Sequence, residues 1–129
     1  MASLSYPKSV RLHHRKDFEA LLESASTHYN AVFKVFWKTT EEGGCRFAVS
    51  VPKKSFKRAV KRNLLKRRIR EAIRLNRDKL SEGFCADFLF FYRVADILEY
   101  AEIERAVIEA FKAISAKAAA NSEKNSGDE

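Results

Sequence analysis

Apolar residues fall into blocks along this chain, and their spacing switches between helical and strand-like from one block to the next. Phe18, Leu21 and Leu22 recur at i, i+3 and i+4, which predicts a short helix over about residues 15–24. The run Val32-Phe33-Lys34-Val35-Phe36-Trp37-Lys38 is aromatic and β-branched and predicts a strand. Glu41-Glu42-Gly43-Gly44 reads as a turn, making residues 46–51 the antiparallel partner of that strand. Pro52 ends the partner, because proline has no N–H to give a ladder. A helix follows, running to about Arg77. Residues 87–94 then predict a third strand, apolar enough to be largely buried. Ile103, Ala106, Val107, Ala110, Phe111 and Ile114 form the stripe of a last, amphipathic helix. The order helix-strand-strand-helix-strand-helix predicts an α+β fold, a single two-layer domain.

The ends differ from this middle. Residues 1–10 are expected to be irregular, residues 11–115 to form the domain, and residues 116–129 to be a frayed helix end and a disordered tail. From Asn121 onward there is no apolar residue to bury.

Charge is concentrated in the central helix. From Lys53 to Arg77 there are twelve lysines and arginines and a single acid, Glu71. At 100° per residue, Leu65, Ile69, Ala72 and Ile73 lie within about 100° of one another and dock the helix on a core. Asn63, Lys66, Arg67, Arg70, Arg74 and Arg77 share the opposite side. Five like charges on one face repel by a few tenths of a kcal/mol for each i,i+4 pair, and a polyanion relieves that repulsion. A solvated basic face normally carries acids as well; this one has a single acid.

Composition adds limits. The 129 residues, 46% hydrophobic, support one core, and the net charge of +8 with a pI near 9.7 points to nucleic acid or an anionic surface. No run has the length of a membrane span, and the first eight residues lack the apolar core of a signal peptide. Cys45 and Cys85 make neither a metal spacing nor a disulfide framework, so a reducing cytoplasm is the expected home.

Catalytic chemistry is not visible. His13 and His14 are adjacent and diverge, His28 falls in an expected loop, and none has a partner at triad or ligand spacing. Glu99, Glu102, Glu104 and Glu109 are read as the solvated face of the last helix. The first strand is more informative. Phe33, Val35 and Trp37 share its core face, while Lys34, Phe36 and Lys38 share the other. An aromatic between two lysines suits single-stranded nucleic acid, with the ring stacking on a base and the ammonium groups meeting phosphates. Spacing alone favours, by a small margin, the other arrangement, in which Phe36 packs under the N-terminal helix while the lysines snorkel to water.

The stretch Arg46-Phe47-Ala48-Val49-Ser50-Val51-Pro52-Lys53-Lys54, followed by Ala59-Val60-Lys61-Arg62-Asn63-Leu64-Leu65-Lys66-Arg67-Arg68-Ile69-Arg70-Glu71, resembles the protein subunit of bacterial ribonuclease P. Leu12, Asp17-Phe18 and the 87–93 strand stand where that family has its first helix and last central strand, so the resemblance spans about residues 10–115. It implies a small protein bound to a large catalytic RNA. The two together remove the 5′ leader of precursor tRNA endonucleolytically and leave a 5′-phosphate on mature tRNA. In such a holoenzyme the RNA holds the Mg²⁺ ions, and the protein supplies no catalytic residue and binds no metal. By matching position, the resemblance assigns Lys53, Lys54, Arg58, Lys61, Arg62, Asn63, Lys66, Arg67, Arg70 and Arg74 to the catalytic RNA. It assigns Phe18, Leu22 and Phe36 to a leader cleft, with Lys34 alongside by strand alternation, which favours the stacking role for Phe36. It also implies a βαβ unit with a left-handed crossover, against the usual rule. Precursor tRNA and the RNA subunit are the expected partners; a membrane and DNA are not.

Two positions depart from the family pattern. Leu64 stands where relatives often carry a second arginine after Arg-Asn, and Pro52 where they often carry a small residue. A structural RNA-binding protein of ribosomal type shares the charge pattern. A DNA-binding regulator is disfavoured, because a strand and not a helix precedes the basic helix.

Overall fold

The computed structural model describes residues 19, 21–23, 25–40, 44–80 and 84–127, the last nine by their backbone alone. Glu19 and residues 21–23 are helical. The remainder of the helix expected over 15–24, Phe18 included, lies outside the described residues, as do residues 1–10.

Four strands follow: β1 (Ser26–Tyr29), β2 (Phe33–Thr39), β3 (Cys45–Ser50) and β4 (Ala86–Tyr92). Helix α1 (Ala59–Asn76), extended by a 3₁₀ turn over Arg77–Lys79, separates β3 from β4, and α2 (Tyr100–Gly127) closes the chain. The sheet order is β1-β2-β4-β3, with β2 antiparallel to β4 and β3 parallel to it. Residues 46–51 are therefore not the hydrogen-bonded partner of β2; β4 lies between the two. The cause is the composition of β4, where Ala86, Phe88, Phe90 and Tyr92 are fully buried and Leu89 and Phe91 half-buried on the other face. A strand apolar on both faces is stabilised most at the sheet centre, and a β2–β3 hairpin would leave it on an edge. The parallel β3–β4 pair then needs a crossover, which α1 supplies.

Strand β1 contains His28, which the sequence places in a loop. Its four residues, Ser-Thr-His-Tyr, carry too little apolar pattern to announce a strand, yet they pair antiparallel with β2 from Ser26↔Trp37 to Tyr29↔Lys34. Asn30 makes the turn. Its Oδ1 accepts from Val32 N (2.9 Å) and Phe33 N (2.8 Å), while its Nδ2 donates to Ala106 O and Glu109 on α2. One side chain thus closes the hairpin and ties it to the helix layer.

The core lies between one sheet face and the two helices. Phe33, Val35 and Trp37 meet Leu65, Ile69 and Ile73 of α1 and Ile103, Val107 and Phe111 of α2, as the periodicities predict. Phe111 contacts Phe47, Phe88 and Phe90 with ring centroids 5.7–6.0 Å apart. Each such pair adds about 0.5–1.5 kcal/mol beyond the area it buries. Helix α2 keeps helical backbone to Gly127, past residue 116 where composition predicts a disordered tail. The alanine-rich run after Ser115 has the highest helix propensity available, which favours continuing the helix.

Candidate nucleic-acid interface

The chain leaves β3 through Pro52 and enters α1 with few of the usual aids. Arg58 occupies the N-cap in extended geometry (φ −82, ψ 125) with no side-chain cap, and no acid lies in the first turn. Arg62 instead braces the preceding loop, donating from Nη1 to Phe56 O (2.7 Å) and Lys57 O (3.0 Å). It therefore holds the entry loop as well as carrying charge. A recess of about 420 Å³ opens here among Lys57, Arg58 and Lys61, with Asp96 on its wall. Cations at a helix N-terminus oppose the helix dipole, so this arrangement sacrifices helix stability.

Along α1 and the loop that enters it, Lys53, Lys54, Arg58, Lys61, Asn63, Arg67 and Arg70 are exposed and Lys66 half-buried. Among the described residues none of these cations has an acidic partner. Arg74 differs, since it is half-buried and pairs with Glu71 one turn back (Nε to Oε2, 3.2 Å). Arg68 donates to Leu98 O at 2.6 Å and pins α1 to the loop before α2. Leu64 is half-buried on the row between exposed Val60 and Arg68.

The other sheet face carries the second group. Register puts Tyr29, Lys34, Phe91 and Ser50 in one row across the four strands, Thr27, Phe36, Leu89 and Ala48 in the next, and Lys38, Asp87 and Arg46 in a third. Arg46 and Asp87 form a bidentate pair at 2.9 and 2.8 Å that closes one end. Phe36 is half-buried, packed with Leu89 and Ala25 against Leu21 and Ala48, while Lys34 Nζ lies 4.9 Å from its ring centroid. It thus packs beneath the N-terminal helical turn and also keeps a lysine at its ring. Leu22 is 52% exposed and outside that cluster; Leu21 is the buried member of the pair. Phe18 lies outside the described residues. Sequence reading missed Tyr29, Phe91 and Arg93 on or beside this face. Alternation within 87–94 could have found Phe91, whereas nothing local marks Tyr29.

His28 is on β1 and buried, not in a loop. Its Nε2 meets Glu109 Oε1 at 2.9 Å and its Nδ1 meets Lys117 Nζ at 3.2 Å, so both ring nitrogens tie β1 to α2. Burial works to raise the Glu109 carboxyl, but hydrogen bonds from His28 and Asn30 outweigh it and hold the group below its ordinary value. Glu104 accepts from Tyr100 and Asn76; burial first, then the Glu104 hydrogen bond, pushes the Tyr100 hydroxyl up to about 12. Two of the four acids read as a solvated face thus join α2 to its neighbours. Burial also lifts the Cys45 thiol to about 11, leaving it a poor nucleophile. Among the described residues no group of three His, Cys, Asp or Glu is placed to hold a metal, and no helix is long and apolar enough to cross a membrane.

A helix whose exposed cations lack acidic partners among the described residues, together with an aromatic–lysine sheet face, describes a surface for polyanions. The family model for Ribonuclease P matches residues 6–115. The chain belongs to the ribonuclease P protein family. It is 36% identical over 112 residues to the ribonuclease P protein component of Citrifermentans bemidjiense, covering 86% of this chain and 93% of that one. The solved ribonuclease P protein of Staphylococcus aureus superposes with a TM-score of 0.70 at 25% identity, covering 84% of this chain and 96% of that one. That of Thermotoga maritima gives 0.70 at 22%, covering 79% and 94%, a likeness of fold. As a ribonuclease P protein component, this chain is a subunit of a tRNA-processing endoribonuclease with an RNA partner.

Proposed function

We propose that this ribonuclease P protein docks on the catalytic RNA through α1 and its entry loop, and holds the single-stranded 5′ leader of precursor tRNA on the open sheet face. The first surface comprises Lys53, Lys54, Arg58, Lys61, Asn63, Lys66, Arg67 and Arg70, with Arg62 shaping the loop and Arg74 sharing its charge with Glu71. The second comprises Lys34, Phe36 and Leu22, with Phe18 assigned to it by the resemblance. The RNA performs the cleavage with its own Mg²⁺ ions and releases mature tRNA with a 5′-phosphate. The protein lowers the Mg²⁺ needed by neutralising phosphates where the two RNAs meet, in the cytoplasm.

The observation that supports this reading best is the separation of the two surfaces. The apolar stripe of α1 packs on one sheet face, while Lys34 and Phe36 stand on the other, so two RNA strands can be held at once. Stacking of a base on an aromatic is worth about 1–3 kcal/mol, so Phe36→Ala should weaken binding of leader-bearing precursor by about fivefold or more. Mature tRNA, which has no leader, should be held as before. Equal losses for the two RNAs would remove the leader from this face.

A further inference from the structure

The edge of the same face carries an aromatic that packing does not explain. Tyr29 ends the outermost strand, is 56% exposed, and among the described residues belongs to no apolar cluster. Among the described residues its hydroxyl has no hydrogen-bond partner. Two cations attend its ring instead: Lys34 Nζ at 5.4 Å and Arg93 Cζ at 5.5 Å from the centroid. Arg93 is fixed there, donating from Nη1 to Asn30 O at 2.9 Å, and Asn30 is itself held by four hydrogen bonds. The platform is therefore formed before any ligand arrives, and little ordering is left to oppose binding.

We propose that Tyr29 is a second stacking platform for single-stranded RNA, taking a leader nucleotide adjacent to the one on Phe36. This deepens the leader reading above and rests on it. Tyr29 and Phe36 are diagonal neighbours across the β1–β2 pair, about 7–8 Å apart, which successive bases of one extended strand can span. Lys34 lies between the two rings, 4.9 Å from one and 5.4 Å from the other, where an ammonium can meet the phosphate joining those bases. Displacing it from Tyr29 is affordable. An exposed cation–π contact shifts an equilibrium by roughly two- to fivefold, whereas a stacked base shifts it by about fivefold or more, and Lys34 exchanges the ring for a phosphate.

The test is binding of precursors to the reconstituted RNA–protein holoenzyme, with leaders shortened one nucleotide at a time. The wild type should gain affinity in a step as the leader reaches each ring. Tyr29→Ala should erase one step and lower the long-to-short affinity ratio by about fivefold or more, and Tyr29→Phe should keep it. If Tyr29→Ala retains every step, the Tyr29 platform is refuted while the leader face stands. Should the wild type show no dependence on leader length, the leader reading falls and this inference with it. Loss of the step in Tyr29→Phe as well would assign the effect to the hydroxyl and overturn stacking.

Discussion

Replacing Arg67 and Arg70 together by alanine should separate the binding role of α1 from its structural role. Both side chains are exposed and without acidic partners among the described residues, so neither holds the fold together. Each phosphate neutralised contributes about 0.9 to the log–log salt slope on a duplex, or about 1 kcal/mol at 0.1 M salt. The double variant should therefore lose about 2 kcal/mol, roughly thirtyfold in affinity for the RNA subunit, and its slope should flatten by nearly two. Its stability should hold or rise, since Arg70 repels Lys66 and Arg74 one turn away on either side and alanine is the better helix former. Arg62→Ala is the contrast. It strips donors from the Phe56 and Lys57 carbonyls and should cost about 1–3 kcal/mol of stability while changing the slope less. The assay is RNA binding across a salt series, paired with thermal melts of the protein. Extra Mg²⁺ should partly restore activity to the Arg67–Arg70 variant, because it screens the same phosphates. An unchanged salt slope in that variant would refute the assignment of these two arginines to phosphates.

Arg58→Ser supplies the cap that α1 lacks. Melts should show a gain of about 1 kcal/mol alongside weaker RNA binding, and a loss of stability would mean that the uncapped N-terminus is not a weakness of the fold. Glu109, whose carboxyl is held below its ordinary 4.5, adds stability that is complete above that pH and disappears as pH falls through the lower folded value. Glu109→Gln should accordingly make acid melts shallower below about pH 4.5, and an unchanged acid limb would deny the His28–Asn30–Glu109 link that role.

Much of the fold was legible because long periodic segments announce themselves. The Phe33-Val35-Trp37 alternation and the Leu65-Ile69-Ala72-Ile73 stripe each predict a buried face, and each face is buried. Strand β1 was hidden, because Ser-Thr-His-Tyr is stabilised by pairing with β2 and by the His28 and Asn30 bonds to α2, all contacts distant in sequence. The cationic surface was legible as charge, but the division of labour within it was not. Spacing puts Arg67 and Arg74 on one outward face, yet only Glu71 tells them apart, and only the neighbouring carbonyls show that Arg62 and Arg68 hold the fold.

By itself, then, the sequence determined which residues face a core, that one helix carries an excess of cations, and that its motif is that of ribonuclease P proteins. Those properties are local, set by side-chain chemistry and the two backbone periods. Tertiary structure alone decided that β4 divides β2 from β3, since strand order depends on which strand gains most from burial on both faces. It also decided which cations stay free, and it set Tyr29 beside Lys34 and Arg93, because a cross-strand neighbour is fixed by register and sequence distance does not encode register.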